Sequence, residues 1–185
     1  AELSQCLMRR ICRNACVRIK SQKPTNARRF KPLHRKWKAA CISFLKLSNK
    51  HAMFESSLKQ LGDALRAKKI SSVELTQLYL ERINALNPKL NAYITLQPDV
   101  SLAQARAADA RLAAGKAEAL TGIPFGQKDI FCAQGWLTTC GSKILQGWVP
   151  PYDATLVTRL REAGMPILGK TNMDEFAMGS STEHS

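Results

Sequence analysis

Long apolar runs, histidine and clustered cysteine are all scarce in this sequence, and each scarcity removes a class of function. No apolar stretch approaches the roughly 18 residues that a membrane-spanning helix needs, so no membrane partner is expected. The three histidines, His34, His51 and His184, complete no zinc pattern, and no cysteine pair has C-x-x-C spacing. No metal site is expected on this basis. The six cysteines, Cys132 and Cys140 among them, read as free thiols in a reducing compartment. Acidic residues are almost missing from residues 1–52, where Glu2 stands alone against 14 Lys/Arg, whereas residues 53–185 hold 14 Lys/Arg against 13 Asp/Glu. The net charge of +14 therefore belongs to a basic leader. The body of the chain carries no excess of cations with which to hold a phosphate backbone.

Residues 1–52 show neither a capped periodic segment nor an alternating strand. Their Arg-rich, acid-poor composition resembles a mitochondrial transit peptide, but Trp37, four cysteines and few serines argue against one. The first reading is translated upstream sequence without native structure, disordered and dispensable. A nucleic-acid-binding arm comes third.

From Phe54 the pattern turns helical. Leu58, Leu61 and Leu65 recur at intervals of three and four and predict one apolar face. Ser71, three residues before Glu74, forms a capping box for a second helix, lined by Leu75, Leu78, Tyr79, Ile83 and Leu86 and stopped at Asn87-Pro88. Leu90–Leu96 reads as a short strand, residues 99–115 as an alanine-rich helix, and Ile123–Gln127 as a second strand with Lys128-Asp129 at its C-terminal end. Residues 135–147 read as loop. Asp153 is expected to cap a helix facing inward through Leu156, Val157 and Leu160 and ended by Gly164. Met165–Leu168 reads as a buried strand, and 174–178 as a helical turn. Helices alternating with short apolar strands argue for an α/β fold.

Gly164 to Thr171 spells G-x-x-x-x-G-K-T, the letters of a phosphate-binding P-loop. A P-loop follows a strand and opens a helix, whereas here a helix precedes the first glycine. The intervening M-P-I-L packs as a strand, and Pro166 has no amide hydrogen to offer a phosphate. A nucleotide-binding role for Lys170 is rejected on these grounds.

The segments G-I-P-F-G-Q-K-D at 122–129, T-T-C-G-S-K at 138–143, P-P-Y-D-A-T at 150–155 and G-K-T-N-M-D-E-F-A-M-G-S-S-T-E at 169–183 are more specific. With L-N-A-Y-I-T at 90–95, they resemble the amidase signature family. Within it they are most similar to the A subunits of the tRNA-dependent amidotransferases that act on Glu-tRNA(Gln) or Asp-tRNA(Asn). The resemblance covers 53–185, as the N-terminal part of an amidase signature domain, and leaves 1–52 outside it.

That resemblance implies a mixed central sheet with helices on both faces, of which this chain supplies the first part. It implies a Ser–cis-Ser–Lys triad in which Lys128 is the lysine, with Gly179, Ser180 and Ser181 on a loop bordering the site. The family's two serines lie in glycine- and serine-rich segments not present among these 185 residues, which alone are therefore expected to be inactive. It further implies a glutaminase releasing ammonia from glutamine, and a complex with the B and C subunits that acts on the mischarged tRNA. No cofactor is expected on this chain, ATP and Mg being used by the B subunit. The expected location is the bacterial cytoplasm, or the mitochondrion should 1–52 be a transit peptide. The rivals are another amidase signature hydrolase of small amides and a basic nucleic-acid-binding protein acting through 1–52.

A lysine amine is a base at neutral pH only when burial or neighbouring charge strips its proton, at about 4 kcal/mol for a shift of 3 pH units. Taken alone, a strand-end lysine more often snorkels to water; the resemblance reverses that preference for Lys128 only. Lys143 and Lys170 read as solvated or salt-bridged, Cys140 as a small buried residue, and Trp136, Trp148 and Tyr152 as packing residues.

Overall fold

The computed structural model describes residues 53–181. The expectations for residues 1–52 lie outside the described residues. The chain divides between Glu55 and Ser56, and the architecture below is that of the second unit.

Helix α1 (Leu58–Arg66) starts at a capping box in which the Ser57 side chain accepts from the Gln60 amide and the Gln60 side chain accepts from the Ser57 amide. Its inward face is Leu61, Gly62 and Leu65. Leu58 is not part of it, being 59% exposed. The reason is local: a side chain at Gly62 would stand 3.0 Å from the Ala119 carbonyl, so the helix rests on that segment at Gly62, and Leu58 lies one turn beyond the contact.

Helix α2 (Ser72–Leu90) begins at the expected box of Ser71 and Glu74. Its first two residues are held by Asp109, whose carboxylate accepts from the Ser72 and Val73 amides. The helix does not stop at Asn87-Pro88 but runs to Leu90 with Pro88 inside it. Pro88 sits in the last turn, where only one intrahelical bond is lost. Asn87 secures the turn by bonding Tyr93 through both ends of its amide, and Asn91, at φ 47°, closes it. Leu75 and Leu78 are buried, while Leu86 faces largely outward.

Strand β1 is three residues, Tyr93–Thr95, shorter than the apolar run suggests. Helix α3 (Pro98–Ala113) follows and packs on α2, and both touch the sheet at β3 (Ile167–Thr171). The remaining elements are β2 (Phe125–Lys128) and α4 (Thr155–Glu162). Asp153 is not the cap of α4. Its carboxylate accepts from the Gln134 amide at 2.7 Å and pairs with Arg161 at 3.3 Å, leaving Ala154 at the cap with no side-chain bond.

The sheet is three-stranded and mixed in the order β1-β3-β2, with β1 antiparallel and β2 parallel to the central β3. Ala133, Trp136, Val157 and Ile167 form a core beneath it, with Phe125, Phe131 and Ala154 packed against them. Burying a side chain the size of Val157 or Ile167 contributes about 1.5–3 kcal/mol. Trp136 is a packing residue, as expected; Tyr152 is not, being 58% exposed with only its hydroxyl turned to Cys132.

β1 can lie against β3 only because residue 169 is glycine. A Cβ there would meet the Thr95 carbonyl and the Leu96 Cδ2 at 2.6 Å each. Gly169→Ala is therefore expected to push β1 off the sheet and destabilise the fold by about 1–3 kcal/mol. A shifted urea midpoint in the full-length protein would show it, and an unchanged midpoint would refute the close-approach reading.

Candidate active site

The site region is built at the C-terminal ends of the two parallel strands. The register places Gln127 opposite Lys170 and Lys128 opposite Thr171, and the Asp129 amide carries the pairing one step further onto the Thr171 carbonyl at 3.2 Å. Successive side chains of a strand point to opposite faces, and the exposure pattern follows: Gln127 and Asp129 are buried, Gly126 and Lys128 exposed. Lys128 thus stands at the strand end as expected, but on the open face of the described residues. The Phe131 amide bonds its carbonyl at 3.2 Å, turning the chain immediately after it.

Beneath, on the buried face, lies an ion pair. Lys170 and Asp129 are both 0% exposed, with Nζ 3.2 Å from Oδ1. That contact is one of charge rather than an aligned hydrogen bond. Nζ donates instead to the Phe131 carbonyl at 2.9 Å and to Thr138 Oγ1 at 2.7 Å. The other carboxylate oxygen, Oδ2, accepts from the Thr139 amide at 2.9 Å and its hydroxyl at 2.6 Å. Burial pulls the Lys170 ammonium below its ordinary value, and the Asp129 carboxylate beside it opposes that.

The pair organises the loop of residues 131–142. Gly141 (φ +67°) passes so close to β3's exit that a Cβ would lie 2.7 Å from the Met173 carbonyl. Cys140 beside it, at φ 53°, is half-buried rather than buried, and burial, then the Asp129 charge, push its thiol up. Cys132 and Cys140 are both free thiols. The loop is tied onward: Ser142 Oγ bonds Glu175 Oε1 at 2.5 Å, and the Phe176 amide bonds the Cys140 carbonyl at 2.9 Å. The helical turn expected at 174–178 is instead a tight turn over Glu175–Ala177, in which Phe176 (φ 50°) and Ala177 (φ 61°) take left-handed backbone that no right-handed helix contains. A side chain at Gly179 would collide with the Asp174 carboxyl, which explains the glycine.

Gly179, Ser180 and Ser181 are exposed. Among the described residues no hydrogen bond or ion pair joins them to Lys128; the structure ties the foot of their loop to the loop that carries Thr139 through Ser142 and Glu175 and through the Phe176 amide and the Cys140 carbonyl. An open groove of about 350 Å³ lies between Asn91–Ile94 and the 139–146 loop, with Thr139, Ser142, Lys143 and Asn172 in its wall, and Lys128 is not part of it. Lys143 is solvated and Lys170 salt-bridged, as their surroundings in the sequence suggest. The stretch Gly164–Thr171 is a turn leading into β3, with the Gly169 and Lys170 backbones engaged in the sheet, so it holds no phosphate loop. Among the described residues there is no group of three or more His, Cys, Asp or Glu that could hold a metal ion, and no helix long and apolar enough to cross a membrane.

Sequence reasoning misses Asp129, Thr138 and Thr139 and undervalues Lys170. A signal exists: alternation along Gln127-Lys128-Asp129 sends a carboxylate inward if the lysine faces out, and a buried carboxylate requires a cation or several donors.

Chemically, Lys170 is fully engaged, while Lys128, with no ion pair among the described residues, is free to meet a substrate or another part of a larger protein. The protein-family model described as Amidase matches residues 74–185. The chain is 64% identical over 133 residues to the A subunit of the glutamyl-tRNA(Gln) amidotransferase of Methylobacillus flagellatus and 63% identical over 134 residues to that of Dechloromonas aromatica. Each match covers 72% of this chain, which spans 27% and 28% of those relatives' lengths. Among solved structures, the peptide amidase of Stenotrophomonas maltophilia superposes with a TM-score of 0.63 at 42% identity, covering 66% of this chain and 26% of that one. An amidase family protein of Bacillus anthracis gives 0.65 at 30% identity, over 79% and 29%.

Proposed function

Because the chain belongs to the amidase family, we propose that it is part of the A subunit of a tRNA-dependent amidotransferase, a glutaminase that releases ammonia from glutamine to convert Glu-tRNA(Gln) into Gln-tRNA(Gln). The identity of 64% over 133 residues carries this reading, since the solved peptide amidase stands at 42% and the solved amidase family protein at 30%. Lys128 is the base in this proposal. Its neutral amine takes a proton from a bridging serine, which takes one from the nucleophilic serine. The nucleophile attacks the side-chain carboxamide carbon of glutamine, and the C–N bond breaks as a proton returns to nitrogen. Ammonia leaves, and water hydrolyses the remaining ester to glutamate.

Both serines come from protein outside these 185 residues. So does the desolvation, because Lys128 is exposed here. Gly179, Ser180 and Ser181 border the site from their loop. The B and C subunits complete the assembly in the bacterial cytoplasm. ATP and Mg serve the B subunit, which activates the tRNA-bound glutamyl or aspartyl group.

Two experiments test the proposal. The full-length protein purified with its partners is expected to form Gln-tRNA(Gln) from Glu-tRNA(Gln), glutamine and ATP. Hydrolysis of peptide or other small amides without partners, and no tRNA amidation with them, would instead make it a free-standing amidase. The 185 residues alone are expected to release no ammonia from glutamine in a coupled assay. Turnover by them that disappears in Lys128→Ala would overturn the division of the triad.

A further inference from the structure

The pair Lys170–Asp129 is costly to bury and does not touch the open face where Lys128 stands. Such a pair is weak evidence for stability in itself, since an apolar pair of similar volume often serves as well. What this one does is geometric. Lys128 lies between two fixed points: before it, Gln127 pairs with Lys170 in the sheet; after it, the Asp129 amide is held by Thr171 and the Asp129 carboxylate by Thr139. The ammonium of Lys170 then reaches across the strand end to the Phe131 carbonyl and Thr138. The Phe131 carbonyl also accepts from Gln127 Nε2 at 3.1 Å, so the turn that leaves Lys128 is gripped from two strands at once.

We infer that Lys170, acting through Asp129 and the Phe131–Thr139 loop, is a positioning residue for Lys128. It fixes the direction in which the strand end presents the lysine amine. This rests on Lys128 being the base. A proton transfer tolerates little misplacement, and an error of an ångström at the base can cost about a hundredfold in rate. The titratable groups facing the Lys170 ammonium are Asp129 from the strand end and Cys132 and Cys140 from the loop.

The test uses the full-length protein in complex with its partners, in four forms: parent, Lys170→Met, Lys170→Met with Asp129→Asn, and Lys128→Ala. Lys170→Met alone leaves a buried carboxylate unpaired and is prone to misfold. The double variant removes both charges, while the carboxamide oxygen introduced by Asp129→Asn can still accept from Thr139. It is expected to regain most of the parent's melting temperature yet keep a kcat for glutamine hydrolysis at least about tenfold below the parent, with KM for glutamine within about threefold. Its amidation of tRNA with free ammonium chloride should stay within about twofold of the parent, because that reaction does not use the lysine base.

A double variant that regains both melting temperature and glutamine kcat would reduce the pair to a structural role and overturn the inference. So would a parallel loss of the glutamine- and ammonia-dependent reactions. Lys128→Ala separates this inference from its premise. If that variant keeps glutamine turnover, the base assignment fails; if it is dead while the double variant is active, only the positioning role fails.

Discussion

Lys128→Ala and Lys128→Arg are each expected to lower glutamine-dependent ammonia release by the full-length complex about 10³- to 10⁴-fold. That is about 4–5.5 kcal/mol of transition-state stabilisation. Alanine removes the amine. Arginine keeps the length and the charge, and it fails for a different reason: a guanidinium does not give up its proton at any working pH, so it cannot receive one from a serine. Neither substitution should disturb the fold, because the Lys128 side chain is exposed and its backbone pairing with Thr171 needs no particular residue. The complex should therefore assemble normally, and free ammonia should restore amidation of the tRNA to near the parental rate. Steady-state kinetics with glutamine and with ammonium chloride as alternative nitrogen donors measure both. Near-normal glutamine turnover by Lys128→Arg would remove the lysine from the role of base and return it to the class of strand-end lysines that reach for water.

The elements of this fold are legible where local chemistry decides them. The serine and glutamate of the α2 capping box, the alanine-rich run of α3 and the glycine that ends α4 each act within a few residues, and each is where the spacing puts it. Three of the misses share a cause, a partner outside the local pattern. Asp153 has the right identity and position for a cap, but Arg161 and the Gln134 amide claim its carboxylate first. Pro88 ought to end α2, yet Asn87 bonds Tyr93 and holds the turn. Leu58 keeps the periodicity of a core residue but lies past the point where α1 meets Ala119.

The site divides in the same way. A lysine closing a short apolar run is visible in G-I-P-F-G-Q-K-D, and the pleat then dictates that Asp129 turns inward. The identity of its counter-charge is not visible. Lys170 sits 41 residues away in the chain, inside letters that mimic a phosphate loop, and only the parallel register of β2 on β3 brings it beneath Asp129. The T-T of 138–139 likewise looks like ordinary loop until the two threonines are seen to serve opposite ends of one ion pair.

The largest stability effect is expected at that pair. Lys170→Met replaces a buried ammonium with an apolar group of similar length and leaves the Asp129 carboxylate inside the protein without a cation. Breaking a buried pair from one side destabilises by about 3–5 kcal/mol, most of it the cost of the charge left behind. Thr139 still donates twice to that carboxylate, which favours the lower end of the range. A sign test accompanies the magnitude. Burial holds the Lys170 proton less tightly in the folded protein than in the unfolded chain, so the unfolded state binds more protons as the pH climbs toward the ordinary lysine value of 10.5. Stability contributed by this group must then rise with pH over the alkaline window that ends there. Lys170→Met has no such proton to lose. Its deficit relative to the parent should therefore widen as the pH is raised toward 10.5, which urea denaturation of the full-length protein at a series of alkaline pH values would measure. A deficit under about 1 kcal/mol at neutral pH would mean that the pair is not sequestered from water as described, and a deficit that narrowed with pH would contradict the direction assigned to Lys170.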